Sequence, residues 1–464
     1  MHVRKAILNY QEDIIRELQR LIQIPSVRDV PSEGKPFGEG PYKALEAMLE
    51  LGERLGFRAK NVDGYAGHVE FGEGEEIVGV LVHLDVVPAG EGWTFPPFGG
   101  VLEDGAIYGR GASDNKGPAI VALYGLKALK NLGIRPQKRI RIIFGTDEES
   151  GMTDMDYYFS KEPVPDMGFS PDAGYPITNR EKGLLRISFT KEMSGEQGSA
   201  IRRIHGGSVV NMVPDTCEAL VDHGTLSEQD LKAMKELAGE IPQCRIEESS
   251  SQEGTLIRVM GKSAHGAGPE DGVNAVSCLL HVLAKGAGDF PLGDFLTFLS
   301  QKIGLETRGE SMGIACMDEP SGELTLNLGI LRGDGAKWEA SIDIRYPVTC
   351  SADEIVDAIR KQAEAFGISV RVDHHMEPLY VPDDHPLIVK ISRAYEMIMG
   401  EKAELQSMGG GTYARTLRNN GVAFGASFRE TGAHQPDEFV LVEDLMLHGQ
   451  IFTQALYELA VVEE

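Results

Sequence analysis

The chain has 464 residues, 42% hydrophobic and 25% charged, so it can bury the cores of two or three domains. Its formal net charge of −26 argues against nucleic acid and anionic membranes as partners, because both bind clustered Lys and Arg. The five dispersed cysteines lack a CxxC spacing, the N-terminal segment lacks the apolar core of a signal peptide, and no run is long enough for a membrane helix. A cytoplasmic protein is therefore expected.

The N-terminal part of the chain alternates predicted helices and strands. Apolar spacing predicts helices at residues 5–24, 42–55 and 116–132, and continuous apolar runs predict strands at 77–84 and 138–146. Such alternation is typical of a mostly parallel sheet with helices on both faces, in which ligands bind beyond the carboxyl ends of the strands. His83 and Glu148 lie at two such ends, so both are expected at one crevice.

From about residue 183 the pattern changes to the alternation of half-buried antiparallel strands. The predicted strands are at residues 184–190, 215–223, 255–260, 324–331 and 338–346, and the predicted helices at 227–237, 273–285 and 352–365. The order of these elements hints at two related α/β units.

After residue 386 the first pattern returns. Helices are predicted at residues 387–399, 412–417 and 442–460, and a strand at 422–424. The simplest architecture is an α/β fold with a discontinuous metal-binding catalytic domain, residues 1–182 and 384–464. Residues 183–383 form an inserted α+β lid domain that binds substrate. This arrangement would bring His434 close to His83.

Five residues of the types that bind metals occur at predicted strand ends or glycine-rich turns: His83, Asp114, Glu149, Asp172 and His434. Each motif alone is weak evidence, because an isolated His-x-Asp or Glu pair is usually structural or solvated. Together they fit two divalent ions per chain, with Asp114 as the bridging carboxylate, and the mixture of His and carboxylates favours Zn²⁺ or Mn²⁺. His83 and Asp172 would complete one ion, Glu149 and His434 the other.

Two further acids have expected catalytic roles. Asp85 lies two residues beyond His83 and is expected to orient its imidazole by accepting the second ring N–H. Glu148 is adjacent to Glu149, and in extended backbone the two side chains point in opposite directions. Glu148 is therefore the expected general base for the attacking water.

These motifs resemble the dinuclear metallopeptidase family of carboxypeptidase G, aminoacylase-1 and succinyl-diaminopimelate desuccinylase. Within that family the chain looks most like the Xaa dipeptidases of the peptidase V type. The resemblance implies a two-domain fold, a dinuclear zinc or manganese site and hydrolysis of short peptides with a free N-terminus. The matching stretches are HLDVVPAGEGW (83–93), GRGASD (109–114), DEESG (147–151), SPDAGYP (170–176), GGSVVNMVPD (206–215), GKSAHGAGPEDGVNA (261–275), DIRYP (343–347), MGGGTYAR (408–415) and His434.

The resemblance also implies roles for four residues outside the metal site. His265 would stabilise the oxyanion, and Arg345 would bind the substrate's C-terminal carboxylate. Asn211 would help to hold that carboxylate, and Gly410 would let the substrate approach the backbone. Their structural alternatives are a turn histidine, an ion pair on a strand surface, a turn residue and a helix cap.

Oligomeric state and reaction class leave alternatives open. Relatives with a short insert dimerise and borrow a histidine from the partner, so the long insert here favours a monomer, with a dimer as the alternative. The nearest rival function is an N-acyl amino acid deacylase of the acetylornithine deacetylase or succinyl-diaminopimelate desuccinylase type, which shares the metal site. A catalytically inactive, metal-stabilised binding protein is disfavoured by the intact ligand set and by Glu148.

Overall fold

A computed structural model of the chain describes residues 3–192, 199–334 and 336–462. The chain folds into two compact units, the first containing Met1–Arg180, Leu379–Ser407 and Gly411–Glu464, and the second containing Glu181–Pro378 and Met408–Gly410. The sequence placed the divisions after residues 182 and 383, and it did not anticipate that residues 408–410 group with the second unit. Helices and sheets occur in both units, so the predicted α/β class is confirmed.

The N-terminal part of the first unit begins with a 3-10 segment, Val3–Tyr10, before the first α-helix, where one continuous helix was predicted. Its helices are α1 (Gln11–Ile22), α2 (Glu39–Arg54), α3 (Lys116–Asn131) and α4 (Thr153–Lys161). Its strands are β1 (Arg58–Val62), β2 (Ala66–Phe71), β3 (Ile77–His83), β4 (Val101–Glu103), β5 (Ala106–Tyr108), β6 (Arg139–Gly145), β7 (Met167–Ser170), β8 (Ala173–Gly174) and β9 (Ile177–Glu181).

In its described residues the second unit has ten strands, and eight of them form one antiparallel sheet. Its strands are β10 (Gly183–Glu192), β11 (Ile201–Gly206), β12 (Thr216–Val221), β13 (Arg245–Ser251), β14 (Gly254–Met260), β15 (Met317–Asp318), β16 (Gly322–Glu323), β17 (Thr325–Gly333), β18 (Lys337–Tyr346) and β19 (Ser369–Met376). Its helices are α5 (Glu228–Glu240), α6 (Ala275–Gly286), α7 (Asp294–Lys302) and α8 (Ala352–Glu364), with a 3-10 turn at Pro269–Asp271.

Eight of these strands, counted over the described residues, pair in the order β13-β14-β12-β11-β17-β18-β10-β19. The sheet consists of two groups of four strands that meet where β11 pairs with β17. The groups do not follow the chain order from which two α/β units were predicted, because β10, the first strand, pairs with β18 and β19. A buried apolar cluster that includes Ile257, Leu279, Phe298 and Ile342 forms the core of this unit.

The C-terminal segment returns to the first unit. Its strands are β20 (Leu379–Tyr380), β21 (Leu405–Met408), β22 (Gly421–Ala423), β23 (Ala426–Ser427) and β24 (Phe439–Leu441). Its helices are α9 (Pro386–Met399) and α10 (Val442–Ala460), with a 3-10 segment at Tyr413–Asn420. Among the described residues, no helix is both long and apolar enough to cross a bilayer.

The large sheet of the first unit has nine strands within the described part of the chain. Eight follow the order β1-β2-β6-β3-β7-β22-β9-β20, and β21 pairs with β9. The central strands β6, β3, β7 and β22 run parallel, and the pairs β1–β2, β2–β6 and β22–β9 are antiparallel. Strand β3 is buried along its whole length, as a central parallel strand should be. The carboxyl ends of β3, β6 and β7 therefore meet at one edge, where His83, Glu148 and Asp172 follow.

Candidate metal centre

His83 is the point around which the acidic residues of the first unit gather. It is the last residue of β3 and is 1% exposed. Its Nε2 lies 2.9 Å from Asp114 Oδ1 and 3.6 Å from Asp172 Oδ1. Ligand atoms of His83, Asp114 and Glu149 lie within 4.8 Å of one another, and those of His83, Glu148 and Asp172 form a second such group. The fold thus brings together residues that are far apart in sequence.

His434 reaches the same place from the loop between β23 and β24. Its Nε2 lies 3.1 Å from Asp114 Oδ2 and 3.0 Å from Glu149 Oε1. The two carboxylate oxygens of Asp114 therefore face different imidazoles, Oδ1 toward His83 and Oδ2 toward His434. A carboxylate that bridges two ions needs this arrangement, with one oxygen directed at each ligand group.

The electrostatics of the cluster favour bound cations. Burial raises the pKa of Glu148 well above its ordinary value and that of Glu149 to about 7. Hydrogen bonds with Asp114 and then Glu149 raise the pKa of His434 to about 11. Burial acts to raise the pKa of Asp114, but contacts with both imidazoles outweigh burial and hold that pKa far below its usual range.

Four carboxylates and two imidazoles thus lie close together at a partly buried site, in which His83 is buried and His434 is 53% exposed, and this leaves excess negative charge. Burying like charges together is costly unless opposite charge is present. Divalent cations would supply that charge and would replace the protons held between the imidazoles and the carboxylates. The donor set therefore fits a pair of divalent metal ions.

The structure corrects the expected contact of Asp85. Strand β3 ends at His83, so strand alternation does not direct the Asp85 side chain. The backbone carbonyl of Asp85 is 2.9 Å from His83 Nδ1, while its carboxylate Oδ1 is 3.7 Å away. The carboxylate instead accepts backbone N–H groups of Glu148 at 3.2 Å and Glu149 at 3.1 Å. Asp85 thus positions the imidazole through its main chain and the Glu148–Glu149 turn through its side chain.

Sequence reasoning did not identify Glu438, which holds the loop of Asp114. Its carboxylate is 0% exposed and has five donors, all on one loop. They are the Arg110 guanidinium at 2.8 Å, the backbone N–H groups of Gly111 (3.1 Å), Ser113 (3.0 Å) and Asp114 (3.1 Å), and the Ser113 hydroxyl at 3.0 Å. An acid in a Pro-Asp-Glu turn carries no sequence signal for such burial, because every donor comes from a distant segment.

Buried polar side chains also hold the other acidic loops. The Asn115 amide donates to Asp172 Oδ1 at 3.0 Å, which orients that carboxylate. The Asp154 carboxylate accepts the backbone N–H groups of Thr146 at 2.6 Å and Asp147 at 3.1 Å, and also the Tyr413 hydroxyl. These contacts fix the turn that leads from β6 to Glu148.

The remaining predicted site residues belong to the second unit, where contacts connect their segments. The Gly266 N–H donates to the Asn211 carbonyl at 2.7 Å, and the Ala267 N–H donates to His265 Nδ1 at 3.2 Å. A methyl group added to Gly409, the residue before Gly410, would lie 3.0 Å from Ala267 Cβ. The segments of Asn211, His265 and Gly410 are thus neighbours.

Arg345 is a buried member of this group rather than a surface residue. It is 4% exposed, and its Nε and Nη2 donate to the two carboxylate oxygens of Asp343 at 2.6 and 3.3 Å. Its Nη1 donates to the Gly409 carbonyl at 2.7 Å. The guanidinium is therefore held rigidly against the glycine run.

Comparison with known proteins gives close sequence relatives over nearly the whole chain. The model of the family described as Peptidase family M20/M25/M40 matches residues 79–458. The Bacillus subtilis protein named "Putative dipeptidase YtjP" is 42% identical over 469 residues, covering 99% of this chain and 100% of that protein. A Staphylococcus epidermidis protein named "Putative dipeptidase" is 35% identical and covers 99% of both chains.

Solved structures share the fold at low sequence identity. Human carnosine dipeptidase 1 superposes with a TM-score of 0.62 at 16% identity, covering 99% of this chain and 98% of that one. The di-peptidase Dug1p from Saccharomyces cerevisiae gives a TM-score of 0.62 at 15% identity, covering 100% and 99%.

Proposed function

Because the chain belongs to peptidase family M20/M25/M40, and is therefore a metallopeptidase, we propose that it hydrolyses unblocked dipeptides with two divalent metal ions, Zn²⁺ or Mn²⁺. The observation that carries the proposal is the position of Asp114, whose two oxygens face His83 and His434 separately. This chain aligns with nearly the full length of relatives that are named putative dipeptidases, which supports the choice of dipeptides.

We assign His83, Asp114 and Asp172 to one ion, and Asp114, Glu149 and His434 to the other. Bound divalent ions would polarise the scissile carbonyl and make a water more acidic. The protein's contribution is to hold these donors in place through Asp85, Asn115 and Glu438.

Glu148 is our candidate for the proton carrier. Burial, and next the negative charge of Asp172, raise its pKa well above the ordinary value, which suits a group that takes up a proton and then passes it on. Its turn is fixed by the Asp85 carboxylate. Glu148 accepts a proton from the attacking water and passes it to the leaving amine.

We assign the substrate's carboxylate and oxyanion to residues of the second unit. The three contacts of Arg345 use three of its five N–H groups, and we assign the remaining donors, with Asn211, to the C-terminal carboxylate. His265 stabilises the oxyanion, and Gly410 offers backbone to the substrate. Recognition of that carboxylate would favour substrates with a free C-terminus.

We also propose a monomer in the cytoplasm. All five cysteines are free thiols, which suits a reducing compartment. The second unit holds two groups of four strands in one sheet, which suits an insert that needs no second unit from a partner copy.

The experiment that tests the function is hydrolysis of dipeptides, tripeptides and N-acyl amino acids by metal-stripped enzyme, before and after Zn²⁺ or Mn²⁺ is added. Metal-dependent cleavage confined to dipeptides is the expected result. Cleavage of N-acyl amino acids alone would identify a deacylase. No cleavage of any substrate by the metal-loaded protein would favour the binding-protein alternative.

A further inference from the structure

A small cavity of about 160 Å³ adjoins the carboxylates of Asp114 and Asp172 in the first unit. Part of its wall is the short pair of parallel strands β8 and β23, in which Ala173 lies beside Ala426 and Gly174 beside Ser427. None of these four residues has a side chain larger than that of serine. This part of the wall therefore carries only small side chains.

Those walls are held firmly by main-chain hydrogen bonds. The Ala173 N–H donates to the Gly425 carbonyl at 2.7 Å, and the Tyr175 N–H donates to the Ser427 carbonyl at 2.9 Å. The Tyr175 ring stacks on Phe428, with their centroids 4.6 Å apart. A wall held in this way should limit the size of a side chain that binds in the cavity.

The position of the cavity determines which part of a substrate would occupy it. In the proposed reaction the scissile carbonyl lies at the metal-binding carboxylates. The Cα of the residue that supplies this carbonyl is one bond, ~1.5 Å, from the carbonyl carbon. The side chain of that residue, the N-terminal one of a dipeptide, must therefore lie against Asp114 and Asp172.

We propose that this cavity is the subsite for the side chain of the N-terminal residue, and that the lack of a side chain at Gly174, in its wall, helps to keep it open. The inference rests on the proposed dipeptidase function. A cavity of roughly 150 Å³ in another protein holds one benzene molecule. The subsite is therefore large enough for a side chain of about the size of a phenyl ring and should disfavour an indole, and the three alanines in its wall favour apolar groups.

Gly174 allows a direct test because a side chain there meets no obstacle. A methyl group added to it would contact only the Ser427 carbonyl oxygen, at 3.9 Å, and its φ is not in the left-handed region. Gly174→Ala should narrow the subsite slightly, and Gly174→Leu should narrow it further. Gly239 in α5 has equally open surroundings and no left-handed φ, so Gly239→Leu is the matched control.

The experiment measures kcat and KM for Gly-Ala, Ala-Ala, Val-Ala, Phe-Ala and Trp-Ala, and for the mirrored Ala-Xaa series. We expect wild type to cleave Trp-Ala at least ~10-fold less efficiently than Phe-Ala. Gly174→Leu should keep Gly-Ala hydrolysis within ~3-fold of wild type and lose ~30-fold or more on Phe-Ala, mainly in KM. Gly174→Ala should be intermediate, and Gly239→Leu should match wild type.

Three results would overturn the subsite: equal loss on all substrates at unchanged melting temperature and metal content, a changed preference only in the Ala-Xaa series, or no change in any variant. If Gly174→Leu does not fold, Gly174→Ala gives the same comparison, because its methyl makes only an ordinary contact. A wild-type enzyme that cleaves no dipeptide would instead reject the proposed function.

Discussion

The two units treat buried charge in opposite ways. In the first unit, Glu148, Glu149, Asp114 and Asp172 crowd around two imidazoles, and burial raises the pKa of most of these carboxyl groups. In the second, the Arg345 guanidinium is paired with the Asp343 carboxylate. A group of like charges needs a bound cation to balance it, whereas the two charges of an ion pair balance each other within the protein. The first site should therefore depend on metal for stability, and the second should not.

Loss of the proposed proton carrier should give the largest effect in the first unit. Glu148→Gln should lower kcat by ~10²–10⁴-fold, because proton transfer by a positioned carboxylate contributes about that much. Metal content, measured by atomic emission, should stay near the wild-type value, because the proposed ligands remain. Glu103→Gln, on an exposed position of β4, is the control and should change neither quantity. Wild-type turnover in Glu148→Gln would remove Glu148 from the mechanism.

Breaking the ion pair of the second unit should reduce stability without affecting metal binding. Asp343→Asn leaves the buried Arg345 charge without its partner, which should cost about 3–5 kcal/mol in the free energy of unfolding. Chemical denaturation of the metal-loaded and stripped protein measures this. The exposed pair of Arg360 and Asp357 gives the control, since Asp357→Asn should cost less than about 1 kcal/mol. A larger effect of Asp343→Asn on metal affinity than on stability would contradict the contrast between the units.

Glu438 tests whether the loop of Asp114 needs its buried anchor. Glu438→Gln keeps the shape but replaces one acceptor oxygen by a donor that faces N–H groups. Metal affinity should fall ~10–100-fold, the usual effect of removing a group that orients a ligand. Calorimetric titration checks this against Glu443→Gln, whose side chain in α10 is 75% exposed. Unchanged affinity would mean that the loop holds its shape without the carboxylate.

The prediction with the smallest effect at neutral pH is a pH dependence of stability away from both sites. Burial lowers the pKa of His448 from 6.5 to about 3, and its Nδ1 accepts the Tyr175 hydroxyl at 2.6 Å. Because the folded protein holds His448 in its neutral form, the contribution of His448 to the free energy of unfolding is complete above pH 6.5. That contribution is lost as the pH falls toward 3. Within this window the free energy of unfolding should change by about 1.4 kcal/mol per pH unit. His448→Asn should flatten urea-unfolding stability over this window, and an unchanged slope would exclude His448 as its source.

Much of the fold is visible in the sequence where local pattern and tertiary role agree. The continuous apolar run at 77–84 became the buried strand β3, and the helix predicted at 442–460 is α10 with the same bounds. Strand β13 was missed because its sequence, RIEESSS, is mostly exposed and lacks alternation. No local sequence pattern indicates that residues 408–410 group with the second unit either.

The candidate site shows the same difference between what a local sequence pattern reveals and what it does not. His83, Asp114, Glu149, Asp172 and His434 were identified because metal-binding residue types follow strands or glycine turns, and the fold brings them together. Their roles as ligands stay a prediction. The burial of Glu438 and the carbonyl contact of Asp85 depend on where distant segments meet, which no local pattern records.

The measurement that tests the metal-dependent dipeptidase most directly is a titration of stripped enzyme with Mn²⁺ or Zn²⁺, in which ions bound and Ala-Ala hydrolysis are followed in the same samples. We predict that two ions bind per chain and that hydrolysis appears only as they bind. Full hydrolysis without metal, or saturation with two ions and no hydrolysis of any dipeptide, would contradict the assignment.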